Sequence, residues 1–149
     1  MLSSTDVEEL RHADRARIRS WAEVTAVGRA FAVLAAYDLG SRIGGLTWLF
    51  ASLTKVLPTV GLPETDWPTA VRTVSVAMNR ARILYFGRPS CLRRTAALVH
   101  LLRREGVPAG LVVGVRRLPF AAHAWAEVAG VVINDFAAVQ TQFVVIMRW

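Results

Sequence analysis

The spacing of apolar residues changes once along this chain, near residue 108, and that change limits the folds open to it. Upstream, apolar positions recur at helical intervals; downstream, β-branched residues gather in short runs with strand character. Helices first and strands second point to an α+β domain with an antiparallel sheet. A length of 149 residues suits a single domain, residues 1–149. It divides into a mainly helical part, residues 1–87, and a second part, residues 88–149, in which one more helix packs on the sheet.

The elements follow from caps and breakers. Thr5 and Glu8 have capping-box spacing, so a helix is expected to start there. Its stripe runs through Leu10, Ile18, Trp21, Val24, Phe31 and Leu34, and Gly40 offers a stop. A second helix is expected over residues 42–56, ending before Pro58. Residues 58–68 hold three Pro and a Gly and read as a loop. Thr65 or Asp66 can cap the next helix, with Pro68 in its first turn and Val71, Val74, Met78 and Ala81 facing inward. After a short connection, Ser90 is the N-cap candidate for a helix over residues 91–105, which buries Leu98, Leu101 and Leu102 and ends at Gly106 and Pro108. Strands are expected over residues 111–115, 122–128, 131–134 and 142–147.

Apolar residues make up 54% of the chain and charged residues 19%, which excludes intrinsic disorder. So apolar a chain can also need a partner to cover part of its surface. The longest apolar stretch, residues 21–57, is interrupted by Glu23, Arg29, Asp38, Arg42 and Lys55, and its uncharged piece, residues 43–54, is too short to span a bilayer. Only peripheral membrane contact through apolar helix faces stays open. The polar, acidic start of the chain lacks the apolar core of a signal peptide, so a cytoplasmic location is expected. The net charge of +7 comes from 17 Arg and one Lys against 11 acidic residues, but the Arg scatter in pairs with no dense run. A nucleic-acid partner is therefore not expected.

Cys91 is the only cysteine, which excludes an intramolecular disulfide and any Cys-rich metal site. At a helix N-terminus it meets the positive end of the helix dipole, which stabilises a thiolate. Downstream, His123 falls on a strand and Asp135 just after the partner strand. A three-residue loop, Val128-Ala129-Gly130, would pair His123 directly with Asp135, with Cβ atoms about 4.5–5.5 Å apart. A two-residue loop, Ala129-Gly130, would instead oppose His123 to Phe136 and turn Asp135 to the other face unless a bulge intervened. The first register is the one expected here. It supplies a nucleophile, Cys91, a base, His123, and an orienter, Asp135.

The residues that carry this trio also carry a resemblance. The segment Cys91-Leu-Arg-Arg-Thr-Ala-Ala-Leu-Val-His-Leu-Leu-Arg-Arg-Glu-Gly106 resembles the nucleophile helix of the lasso-peptide leader peptidases, the transglutaminase-like B proteins of lasso-peptide biosynthesis, within the papain-like cysteine protease superfamily. Gly114-Val115-Arg116 and Ala122-His123-Ala124-Trp125-Ala126-Glu127 resemble the strands that follow, and Asn134-Asp135 resembles the third catalytic element. The match covers about residues 88–136. Thr95 departs from it, standing where Ser or Ala is commoner, at a position expected not to touch the chemistry. The resemblance implies a transglutaminase-like core and a cysteine peptidase, without cofactor, that removes the leader from a ribosomally made precursor peptide. It also implies a separate leader-recognition protein and an asparagine-synthetase-like cyclase that acts afterwards.

The remaining candidates have plainer readings. Trp125 and Glu127 share the face of His123 under strand alternation, a mixed face that suits a cleft. Trp125 is the substrate-binding candidate, as a wall of that cleft or as packing, and Glu127 is a rim or structural charge. His100 points away from Cys91 by helical phase, and His12 is a surface residue. Asp38 and Asp66 read as helix-end residues. Three His with no ligand spacing give no metal site. The backbone N–H of Cys91 is the first candidate oxyanion donor. Two other functions use the same residues: a transglutaminase-like acyltransferase, where an amine resolves the thioester, and a non-enzymatic basic scaffold.

Overall fold

The computed structural model describes residues 20–56 and 61–149. The expected helix start at Thr5 and Glu8, and the position of His12, lie outside the described residues. Helix α1, Trp21–Thr54, begins at Ser20, whose hydroxyl accepts the Glu23 N–H at 3.2 Å. The expected stripe positions Leu10 and Ile18 also lie outside the described residues. Trp21 is 85% exposed, and the buried stripe consists of Val27, Ala30, Leu34, Tyr37, Asp38 and Ser41.

The expected stop at Gly40 is not used. Helix α1 passes through Gly40 and breaks at Gly45, whose φ of 65° is left-handed. Gly40 and Gly44 serve a different need, close approach of Trp48. A Cβ on Gly40 would sit 2.2 Å from the Trp48 ring, and one on Gly44 2.5 Å from the Trp48 Cβ. Trp48 in turn meets Tyr37 edge to face, with ring centres 5.7 Å apart. A glycine inside a helix lowers its stability without ending it, whereas positive φ interrupts the hydrogen-bond ladder.

A short 3₁₀ turn, Glu64–Asp66, leads into α2, Trp67–Leu84, with Pro68 in its first turn. All four inward positions, Val71, Val74, Met78 and Ala81, are buried. Helix α3, Cys91–Arg104, follows Ser90 and buries Leu98, Leu101 and Leu102 among others. It closes through Gly106, φ 82°, with the Val107 N–H donating to the Leu102 carbonyl at 3.0 Å.

Four antiparallel strands follow: β1, Ala109–Arg116; β2, Ala121–Val128; β3, Val131–Val132; and β4, Val144–Arg148, in the order β3-β2-β1-β4. A single helical turn, α4, Val139–Gln142, precedes β4. The architecture is α+β, three helices on one face of the sheet. Val27, Leu34, Leu98, Leu102, Leu111, Ala126 and Val128 share that main core. A smaller cluster of Val112, Trp125, Val132 and Val139 fills the opposite face, with Phe143 and Val145 packed on it. Arg103 staples the layers together, donating to the carbonyls of Ala109 at 2.8 Å, Leu53 at 3.1 Å and Trp149 at 3.0 Å.

The hairpin register differs from the expected one. Glu127 pairs with Val132 and Val128 with Val131, so the loop is the two residues Ala129 and Gly130. Their φ values, 48° and 79°, are both positive, as a type I′ turn requires. That turn follows the right-handed twist of the strands, and it prevails over the three-residue loop. The partner strand is also shorter than residues 131–134: the Ile133 N–H still reaches the Ala126 carbonyl at 3.0 Å, and there the ladder ends.

Candidate active site

The site forms where α3 begins. Cys91 is the first helical residue, preceded by Pro89 and by Ser90 in extended conformation, and its side chain is half-buried. Ser90 holds the N-cap position without a side-chain cap bond; its carbonyl accepts the Arg94 N–H at 3.1 Å. The first N–H groups of a helix have no intrahelical acceptor and gather at this end. Cys91, His123 and Asp135 line one cavity of about 260 Å³ between α2, α3 and the sheet.

His123 and Asp135 meet although their strands are not in the register that would oppose them. The imidazole Nε2–H donates to Asp135 Oδ2. The other carboxylate oxygen accepts the Phe136 N–H at 2.8 Å, which fixes the side chain. The cause lies at Asn134. Its Oδ1 accepts the Ala126 N–H at 2.7 Å, standing in for the backbone carbonyl that would continue the ladder. The chain therefore leaves the sheet one residue before Asp135, and strand alternation no longer dictates which way Asp135 points. With Nε2 bound to Asp135, Nδ1 is the ring nitrogen left uncommitted.

Asn134 also donates from Nδ2 to Thr95 Oγ1 at 3.1 Å, and the Thr95 hydroxyl donates to the Ala124 carbonyl at 3.1 Å. Thr95 is buried one helical turn after Cys91. Two side chains thus tie the turn that carries the thiol to the neighbours of His123 and of Asp135. Thr95 lines the same cavity, and its hydroxyl bonds to the Ala124 carbonyl and the Asn134 amide. A polar residue four positions after the cysteine, together with an Asn before the Asp, is the sequence signal for this tie.

Trp125 and Glu127 do share the side of the sheet on which His123 begins, but that side is not an open cleft. Trp125 is fully buried and does not line the cavity. Its indole N–H donates to Glu127 Oε1 at 2.8 Å, and Glu127 also binds Gln140, at 2.9 Å, and Arg148. Burial pushes the Glu127 carboxyl up, but the hydrogen bonds from Gln140, Trp125 and Arg148 outweigh it and hold the group below the usual Glu value. The segment containing Val139 and Phe143 covers this face. Trp125 is a packing platform: His123 lies over it with ring centres 6.4 Å apart, and Phe143 lies 5.5 Å from His123. Gly114 pairs with His123 across the sheet, and a Cβ there would come within 2.7 Å of the Trp125 ring.

Asp38 is not a helix-end residue. It sits mid-helix, 1% exposed, and binds Tyr85 at 2.8 Å, Arg93 at 3.0 Å and Arg42 at 3.0 Å. Burial pushes it up, and the hydrogen bonds from Tyr85, Arg42 and Arg93 more than compensate, leaving it below the usual Asp value. His100 points away from the thiol, as helical phase requires. Its Nδ1 faces the Tyr37 hydroxyl at 3.1 Å. Burial pushes the Tyr37 phenol up to about 12. Asp66 does stand at the N-cap of α2, without a side-chain cap bond. Among the described residues no group of three or more His, Cys, Asp or Glu could hold a metal ion, and no helix is long and apolar enough to cross a membrane.

Residues 33–148 match the transglutaminase-like superfamily. The microcin J25-processing protein McjB of Escherichia coli is 34% identical over 92 residues, which cover 61% of this chain and 42% of that protein. The match thus spans less than half the length of this curated relative. No solved structure matches the chain.

Proposed function

The chain belongs to the transglutaminase-like superfamily, and from that premise we propose that it is a cysteine peptidase that removes the leader from a lasso-peptide precursor. The observation that carries the reading is one cavity lined by a thiol at a helix N-terminus and by an imidazole whose Nε2 is bound to a carboxylate. The likeness to a microcin-processing protein supports the substrate class.

In this reading Cys91 Sγ, its proton taken by His123 Nδ1, attacks the scissile carbonyl. The tetrahedral oxyanion forms beside the helix N-terminus, where the Cys91 N–H is the nearest donor. The imidazolium returns the proton to the departing amine, and the leader remains as a thioester on Cys91. Water, deprotonated by His123, then hydrolyses the thioester and frees the thiol. Asp135 holds the imidazole tautomer and stabilises the imidazolium in both halves. The chemistry uses no cofactor. Partners in this reading are the precursor peptide, a separate leader-recognition protein and an asparagine-synthetase-like cyclase, all in the cytoplasm where the precursor is made.

The test is incubation of the protein with its precursor and the recognition protein, read by mass spectrometry. Free leader acid and core peptide are expected from wild type and neither from Cys91→Ala. A Cys91→Ala protein that still processes at near the wild-type rate removes the proposal. A leader joined to an added amine instead of a free acid would assign acyl transfer in place of hydrolysis.

A further inference from the structure

The cavity of Cys91 has a second wall that the proposed chemistry does not use. Helix α2 turns Ser75, Asn79 and Arg82 toward it, three positions on one helical face. Arg94, one turn along α3 from Cys91, lines it as well. Among the described residues neither Arg82 nor Arg94 has a carboxylate within ion-pair distance, whereas Arg29, Arg42, Arg80, Arg93 and Arg148 are all paired. The acidic side chain in the cavity, Asp135, is committed to His123 and to the Phe136 N–H. Ser75 adds a buried hydroxyl with no hydrogen-bond partner. A buried hydroxyl of this kind is a cost that a ligand oxygen can remove.

We infer that this wall receives a carboxylate: the peptide carries an Asp or Glu side chain beside the scissile bond, bound by Arg82 and Arg94 with the Ser75 hydroxyl as a further donor. Guanidinium groups match carboxylates in shape and charge, and two of them lining a partly enclosed cavity discriminate an acid from its amide. The inference rests on the peptidase reading for the identity of the ligand, and not for the charge selectivity of the cavity.

Because Cys91 is the only thiol, its alkylation reads that selectivity without any turnover. Iodoacetate and iodoacetamide are similar in size and differ by one negative charge. The ratio of their rates on one protein cancels both the thiolate fraction and the access to the thiol. From wild type to the double variant Arg82→Gln, Arg94→Gln, the iodoacetate-to-iodoacetamide ratio is expected to fall about threefold to tenfold, as partly exposed charges allow. Arg104→Gln, with the same kind of charge change at the far end of α3, is expected to leave the ratio unchanged. Added salt should lower the wild-type ratio toward that of the double variant. An imidazolium at His123 would raise the ratio in every variant alike, so it cannot imitate the difference. Circular dichroism checks that the variants fold. With the precursor, the double variant is expected to raise KM more than it lowers kcat. Changing the flanking Asp or Glu to its amide should erase that difference. An alkylation ratio that is the same in wild type and double variant overturns the inference, and leaves the peptidase reading to the Cys91→Ala test.

Discussion

Two aspartates flank the helix that carries Cys91, and they are held in opposite ways. Asp38, on the far side, is buried and saturated by Tyr85, Arg42 and Arg93. Asp135, on the near side, has a side chain 22% exposed and binds one imidazole and one backbone N–H. The Asp38 cluster joins the middle of α1 to Tyr85, just before the cysteine, and to Arg93, just after it. It ties the segment before α3 and the first turn of α3 to the middle of α1. The Asp135 pair leaves its histidine one uncommitted nitrogen in an open cavity.

The sharpest way to break this contrast is to neutralise each aspartate and measure both turnover and stability. Asp135→Asn is expected to lower turnover about 10²–10⁴-fold, by analogy with the orienting acid of catalytic triads, with little change in the denaturation midpoint. The amide keeps the shape, but it favours the wrong tautomer and cannot stabilise an imidazolium. Full activity in Asp135→Asn would reduce the site to Cys91 and His123.

Asp38→Ala should do the reverse. It leaves two guanidinium groups and a phenol without their acceptor, and is expected to cost about 2–3 kcal/mol in urea unfolding, since Arg42 and Arg93 keep some access to water. The surviving folded fraction should retain its thiol reactivity. The pH dependence has a definite sign. The folded Asp38 and Glu127 carboxyls lie below their usual values. Their contribution to stability is therefore complete above the unfolded values of about 3.9–4.3 and is lost as pH falls through the lower folded values. Urea midpoints are expected to hold from pH 7 to about pH 5 and to decline below about pH 4, less steeply in Asp38→Asn than in wild type. Equal acid sensitivity in the two proteins would mean that Asp38 contributes nothing through its charge.

Much of the near side was legible in the sequence, and the errors there are instructive. The meeting of His123 and Asp135 was anticipated, but through a three-residue loop that the structure does not contain. Strand alternation predicts facing only while the ladder lasts. Here β3 stops at Val132 and the Asn134 side chain takes over the next hydrogen bond. That substitution is tertiary, because it depends on Thr95 arriving from α3. Helix phase was more reliable: the inward faces of α2 and α3 and the outward turn of His100 all follow from it. Asp38 reads as a helix end because a single Asp near Gly40 resembles one, and two of its three partners, Tyr85 and Arg93, lie 47 and 55 residues away. Gly40 itself resembled a stop because sequence does not reveal that Trp48 needs its missing side chain.

Asn134 offers a smaller and finer test of the near side. Asn134→Ala leaves the Ala126 N–H without its acceptor and removes a donor from Thr95, for about 1–3 kcal/mol of stability. Turnover is expected to fall about tenfold, as positioned groups lose alignment. In a Thr95→Val background the further effect of Asn134→Ala on turnover should shrink, because the two residues act through one chain of hydrogen bonds. Strictly additive losses would dissolve that chain as a unit.

The most direct measurement looks for the covalent intermediate. Wild-type protein is mixed with precursor and recognition protein, quenched in acid within the first turnover, and its Cys91 peptide is analysed by tandem mass spectrometry. The account predicts the leader joined to Cys91 through a thioester, lost on mild hydroxylamine treatment and absent from Cys91→Ala. Free leader accumulating at the wild-type rate from Cys91→Ala, with no adduct on Cys91 of the wild-type protein at any time, would contradict it.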